Sequence, residues 1–116
     1  MVAGGYVPDA GDLVWLDFDP QVGREQAGRR PAIVLSPAAY NERSSLAIVC
    51  PITSRVKGYP FEVALPKGLA IAGVILTDHL KNLDWRARRA EKVGDAPKQV
   101  LEDIRDRLGP LLGLSR

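Results

Sequence analysis

Apolar positions along the chain fall in short runs separated by polar stretches that carry proline and glycine, and their period changes near residue 97. Asp12 to Phe18 (DLVWLDF) alternates weakly and predicts a strand. Pro20 to Arg30 holds two glycines, one proline and four charges, which predicts a long loop. Pro31 to Leu35 predicts a strand with its proline at the start, where a missing donor matters least. Ser36 to Ser45 reads as a turn or short helical piece, with Ser36 as N-cap and Pro37 at the first helical position. Leu46 to Ile52 predicts a buried strand whose internal Pro51 points to a sheet edge or a bulge. Thr53 to Pro60 is a second polar loop, and Phe61 to Leu65 and Gly73 to Thr77 are two further short strands. From Pro97 onward Val100, Ile104, Leu108 and Leu111 or Leu112 recur at helical spacing. Asp95 is the candidate cap there, and Gly109-Pro110 should end or kink the helix. Five to seven short strands followed by a helix predict a mixed β fold: a small, strongly curved sheet or barrel with a helix packed on it.

Composition narrows this picture. The 116 residues make one domain, spanning 1–116, with 46% apolar residues for a single core. Charged residues reach 26%, but the net charge is only +2, so distribution matters more than total. The first nineteen residues carry Asp9, Asp12, Asp17 and Asp19 and no Lys or Arg. Basic residues gather at Arg24, Arg29 and Arg30, and again from Lys81 to Lys92. An uneven field of this kind guides a polyanion to one face; an ordinary solvated surface produces the same pattern. The single cysteine, Cys50, lies in an apolar run and reads as a small buried hydrophobe. One Cys and one His make neither a Cys/His zinc site nor a redox pair, so no metal and no cofactor are expected. No apolar stretch resembles a signal peptide or reaches membrane-spanning length, so a cytoplasmic protein without membrane contact is expected.

The chemistry-bearing residues sit in the two polar loops and just after one strand. The first loop offers Arg24, Glu25, Gln26, Arg29 and Arg30; the second offers Thr53, Ser54, Arg55 and Lys57; Thr77-Asp78-His79 follows a strand. Cleaving RNA without a metal asks little of a protein, because the 2′-hydroxyl is an internal nucleophile. It asks for a base, for charge stabilisation at phosphorus and for help to the leaving oxygen. Glu25 and Asp78 are both candidate bases. Arg30 suits phosphate through its planar fork but is a poor proton donor, and the Thr53 hydroxyl is a candidate hydrogen-bond donor to phosphate. Each has a plainer reading: a solvated ion pair for Glu25, a strand anchor for Arg30, a strand end for Thr53, a turn residue for Asp78. His79, without a visible partner, reads as structural. Trp15 reads as core or interface, and Trp85, within Asp84 to Arg89, as either a base-stacking ring or a buried indole.

The ordered series Gly11-Asp12-Leu13-Val14-Trp15, Asp19-Pro20, Glu25-Gln26-Ala27-Gly28-Arg29-Arg30-Pro31, Pro51-Ile52-Thr53-Ser54 and Lys57-Gly58-Tyr59-Pro60-Phe61-Glu62 continues through Gly73-Val74, Asp78 and Asp84-Trp85-Arg86-Ala87-Arg88. Over nearly the whole chain it resembles the MazF/PemK/Kid toxins of type II toxin–antitoxin systems, the MazF branch most of all. The resemblance implies an SH3-like small β-barrel (MazF/PemK/CcdB-like) with a C-terminal α-helix, assembled as a homodimer. It implies an mRNA interferase: a sequence-specific endoribonuclease cutting single-stranded RNA without a metal, leaving 2′,3′-cyclic phosphate and 5′-hydroxyl ends. It also implies a cognate MazE-like antitoxin whose acidic segment orders on the RNA groove, with operator DNA touched only indirectly through the antitoxin complex. Glu25 and Arg30 match the catalytic pair of that branch, and Thr53 a threonine of transition-state stabilisation. Phe18, Arg24, Gln26, Ser54, Lys57, Phe61 and Arg88 fall on the RNA-binding side. Asp78 matches the base proposed in the Kid branch, but the arginine that accompanies it there is Leu76 here and the first-loop histidine is Arg24. Two alternatives share these expectations: a DNA gyrase-inhibiting toxin on the same fold and a non-catalytic RNA-binding module.

Overall fold

In the computed structural model, residues 5–18 and 28–114 are described. Seven antiparallel strands form one strongly bent sheet: β1 (Asp12–Asp17), β2 (Arg29–Val34), β3 (Leu46–Thr53), β4 (Glu62–Ala64), β5 (Val74–Leu76), β6 (Lys81–Asp84) and β7 (Glu91–Asp95). Helix α1 (Ala38–Ser44) joins β2 to β3, a single 3₁₀ turn (Thr77–His79) follows β5, and α2 (Lys98–Leu111) ends the chain. The strand order is β4-β5-β3-β2-β1-β7, with β6 also paired to β3. The result is the small, open barrel-like sheet with a C-terminal helix that the apolar runs predict.

The period of two along the central strands gives the sheet apolar side chains on both faces. Leu13, Ile33, Cys50 and Ile52 point to one face, where Val100, Ile104 and Leu108 of α2 cover them. Val14, Leu16, Ala32, Val34, Ala47 and Val49 point to the other, where Trp85 and the partly buried Tyr6, Val7 and Leu83 close the layer. Ile104 is fully buried, and burying such a side chain contributes about 1.5–3 kcal/mol.

Strand β3 is the hub, which corrects the reading of Pro51 as an edge or bulge residue. Along one side β3 pairs with β2; along the other, Leu46 to Val49 pair with β6 and Ile52 and Thr53 pair with β5. Pro51 is buried at the handover between β6 and β5, where a missing donor breaks no ladder on that side. Burial pushes the Cys50 thiol up to about 12, as expected of an inert core cysteine.

The helix boundaries also differ from the sequence expectations. Pro37, not Ser36, is the N-cap of α1. The Ser36 hydroxyl donates to Asn41 Oδ1 at 2.6 Å and accepts the Ile48 amide at 2.8 Å, so it ties the helix to β3 instead of capping it. Pro97 is the N-cap of α2, while Asp95 ends β7 and pairs with Lys92 at 3.0 Å. Pro110 lies inside α2, close enough to its end for the helix to run on to Leu111. Strands β6 and β7 add to the five apolar runs of the sequence, their exposed charged faces hiding the alternation. No helix among the described residues is long and apolar enough to cross a membrane.

Candidate active site

Strand β2 begins two residues earlier than expected, at Arg29, and neighbouring strand positions face opposite ways. Arg29 is consumed by structure. Its guanidinium reaches Asp17 Oδ1 at 3.2 Å, Glu91 Oε1 at 3.3 Å and the carbonyls of Arg88 and Arg89. Arg89, one of two non-glycine residues with positive φ among the described residues, adds a bond from Nε to Asp17 Oδ2 at 2.9 Å. Hydrogen bonds from Arg89 and then Arg29 outweigh desolvation and hold the Asp17 carboxyl below the usual range. Arg30, by contrast, is exposed and makes no ion pair among the described residues.

Arg30 lines a hollow of about 560 Å³ together with Phe18, Thr53, Leu76, His79, Lys81 and Arg88. A second hollow of about 210 Å³ is lined by Arg55, Lys57, Tyr59, Phe61, Glu62 and Asp78 and shares Thr53, Leu76 and His79 with the first. The two form one groove divided by the end of β3 and the 3₁₀ turn. Thr53 Oγ1 accepts the Arg55 amide at 3.1 Å, which fixes the oxygen and leaves its hydrogen for a ligand. Behind it stands Gly73, at φ +124: a Cβ there would meet the Thr53 carbonyl at 2.2 Å, so only glycine lets β5 approach.

The loop after β3 is held on three sides. Glu62 accepts the amides of Lys57 and Gly58, Arg107 donates to the Pro60 carbonyl at 2.9 Å, and the Phe61 carbonyl accepts both the amide and hydroxyl of Thr77. Lys57 lies over the Tyr59 ring, its Nζ 5.9 Å from the centroid. Across the groove, Arg88 donates to the carbonyls of Asp17 and Phe18, anchoring the end of β1.

The structure thus brings together Arg30, Thr53, Phe18, Arg88, Lys57, Phe61 and Asp78. Ser54 is exposed beside Thr53 but lines neither hollow. Arg24, Glu25 and Gln26 lie outside the described residues. His79, read from the sequence as structural, has a side chain 55% exposed that lines both hollows and stands 3.9 Å from Asp78. Lys81 was visible only as one member of a basic cluster. Trp85 is settled in the other direction. Its indole is buried and donates to the Asn41 carbonyl at 2.8 Å, with Arg86 stacked at 4.5 Å, so it is core and not a base-stacking platform. Among the described residues no group of three or more His, Cys, Asp or Glu side chains is gathered in a way that could hold a metal ion.

Comparison with known proteins bears on the fold and the family. The chain is 49% identical over 108 residues to the endoribonuclease toxin MazF of Escherichia coli K12, covering 93% of this chain and 96% of that protein. It is 36% identical over 106 residues to the endoribonuclease toxin ChpB of the same organism, covering 86% and 90%. Among solved structures, a crystal structure of MazE-MazF from Deinococcus radiodurans superposes with a TM-score of 0.90 at 62% identity, covering 96% of this chain and all of that one. The family of PemK-like, MazF-like toxins of type II toxin–antitoxin systems matches residues 9–112. The chain therefore belongs to that toxin family.

Proposed function

We propose that this chain is an endoribonuclease toxin that cuts single-stranded RNA, chiefly mRNA, at short specific sequences by attack of the 2′-hydroxyl on the adjacent phosphorus. The observation that carries the reading is the meeting of Arg30 and Thr53, from the starts and ends of different strands, in one groove with Phe18 and Arg88. The exposed Arg30 fork holds two non-bridging phosphate oxygens, and the Thr53 hydroxyl donates to the charge that builds there. Lys57, Arg55 and Lys81 draw the backbone along the groove, while Phe18 and Phe61 offer flat surfaces to unstacked bases. Glu25 takes the 2′-hydroxyl proton; Asp78, in the second hollow, is the alternative base. The products carry 2′,3′-cyclic phosphate and 5′-hydroxyl ends. No metal and no cofactor enters the step, because the nucleophile belongs to the substrate.

The active unit is a homodimer, held off in the cytoplasm by a MazE-like antitoxin whose acidic segment covers the cationic groove. Operator DNA is contacted only through that complex. The relatives named above are endoribonucleases at 49% and 36% identity, which favours RNA cleavage over gyrase inhibition and over a non-catalytic RNA-binding role. The test is incubation of purified protein with a long single-stranded RNA in excess EDTA, with ends sequenced and their chemistry assigned. Discrete cuts with cyclic phosphate ends, absent from Glu25→Ala/Arg30→Ala protein, are the expected result. An intact RNA beside a folded, antitoxin-free protein would sink the reading.

A further inference from the structure

We propose that His79 is the acid of the cleavage step, the group that protonates the leaving 5′-oxygen; the assignment rests on the ribonuclease reading above and completes it. The 3₁₀ turn that carries His79 is firmly placed. Thr77 is fully buried, its hydroxyl donates to the Phe61 carbonyl at 2.6 Å, and its own carbonyl accepts the Cys50 thiol at 3.8 Å. Two residues on, the imidazole emerges at the junction of the two hollows, exposed and shared by both.

The chemistry of its neighbours singles it out. Among the described lining residues, the other side-chain polar hydrogens of the first hollow belong to Thr53, Arg30, Lys81 and Arg88. Guanidinium groups stay protonated throughout the working range and ammonium groups release a proton only near pH 10, so these side chains stabilise charge without yielding protons. In the second hollow Arg55 and Lys57 are of the same kind, and Glu62 is engaged by two backbone amides. Among the described lining residues, imidazole is the one side-chain type that ordinarily exchanges its proton between pH 5 and 8. Asp78 Oδ1 stands 3.9 Å from Nε2, within ion-pair range but too far for a hydrogen bond, so neither ring nitrogen is claimed by a hydrogen bond among the described residues and both can meet the substrate.

In the step itself the base takes the proton of the 2′-hydroxyl and the O2′–P bond forms. The P–O5′ bond breaks, its electron pair stays on O5′, and that oxygen takes the proton of the imidazolium. The ring is left neutral and regains a proton from solvent.

The experiment uses two oligoribonucleotides that differ at the mapped cleavage linkage, one with the natural 5′-oxygen and one with a bridging 5′-sulfur. Thiolate leaves without protonation, so it removes the need for an acid. In single-turnover reactions His79→Gln is expected to slow cleavage of the oxygen substrate by about a hundred- to ten-thousandfold. On the sulfur substrate it should cut within about tenfold of the parent protein, while Arg30→Lys stays slow on both. Undiminished cleavage of the oxygen substrate by His79→Gln, or equal loss on both, overturns the assignment. If the parent protein cuts neither substrate, the ribonuclease reading fails and the assignment falls with it.

Discussion

Two clusters of arginine lie side by side in this molecule and do opposite things. In the seam between the end of β1, the start of β2 and the turn before β7, Arg29 and Arg89 converge on Asp17, with Glu91 as a further partner. A few ångströms of strand away, Arg30, Lys81 and Arg88 face the first hollow of the groove, which contains no carboxylate among its described lining residues. The seam neutralises its charges and fastens three strands; the groove keeps its positive charge for a ligand. What separates Arg29 from Arg30 is one step along a strand, and so the side of the sheet on which each emerges.

The contrast predicts that the groove can lose function without losing fold, and the seam the reverse. Arg30→Lys keeps the charge and removes the fork, so cleavage should fall about a hundred- to thousandfold while the melting temperature is unchanged. Single-turnover rates and thermal melting measured on the same protein check both halves. Early melting of Arg30→Lys would show that it belongs to the seam after all. Gly73→Ala probes the groove's own wall: a methyl 2.2 Å from the Thr53 carbonyl forces β5 away from β3. A cost of about 3 kcal/mol or more is expected, with cleavage and stability falling together. A native melting curve would mean that the close approach is not needed.

Arg29→Met should lower the melting temperature by several degrees and leave the cleavage rate of the folded protein within about tenfold. Loss of cleavage at an unchanged melting temperature would place Arg29 in the groove's chemistry. The smallest effect is in acid. Because Asp17 has a depressed native pKa, its contribution is complete above its unfolded value near pH 4 and is lost as pH falls through the lower native value. Asp17→Asn should therefore lose stability at neutral pH and converge with the parent protein only once the pH has fallen below the depressed native value, as followed by melting against pH.

The parts of the fold readable in advance were those in which one side of the pattern is apolar without interruption. Strands β1, β3 and β5 and the Val100, Ile104, Leu108 stripe of α2 are of this kind. Strands β6 and β7 present charged residues to solvent and were indistinguishable from basic loop. Ser36 and Asp95 have the side chains of caps, but the Ser36 hydroxyl is claimed by the Ile48 amide twelve residues on, and Asp95 closes strand β7 and pairs with Lys92 of that same strand. In the site, motif order singled out Arg30 and Thr53, but burial and pairing lie beyond any motif. Nothing in the string Gly28-Arg29-Arg30 says which arginine meets Asp17, and nothing in Asp84-Trp85-Arg86 says that the indole reaches Asn41. His79 shows no catalytic partner along the sequence, because the groove it lines is assembled from β2, β3, β6 and the turn of Arg88.

The Phe18 amide donates to the Gly28 carbonyl at 2.8 Å, and Arg88 clasps the Asp17 and Phe18 carbonyls from the other side. Phe18 and Gly28 are thereby fastened to each other where β1 ends and β2 is about to begin. Closing the open end of a two-strand ladder keeps it from fraying. Phe18 and Arg30, at the ends of those two neighbouring strands, therefore hold their spacing across the first hollow before any ligand arrives, and binding need not bear the cost of ordering them.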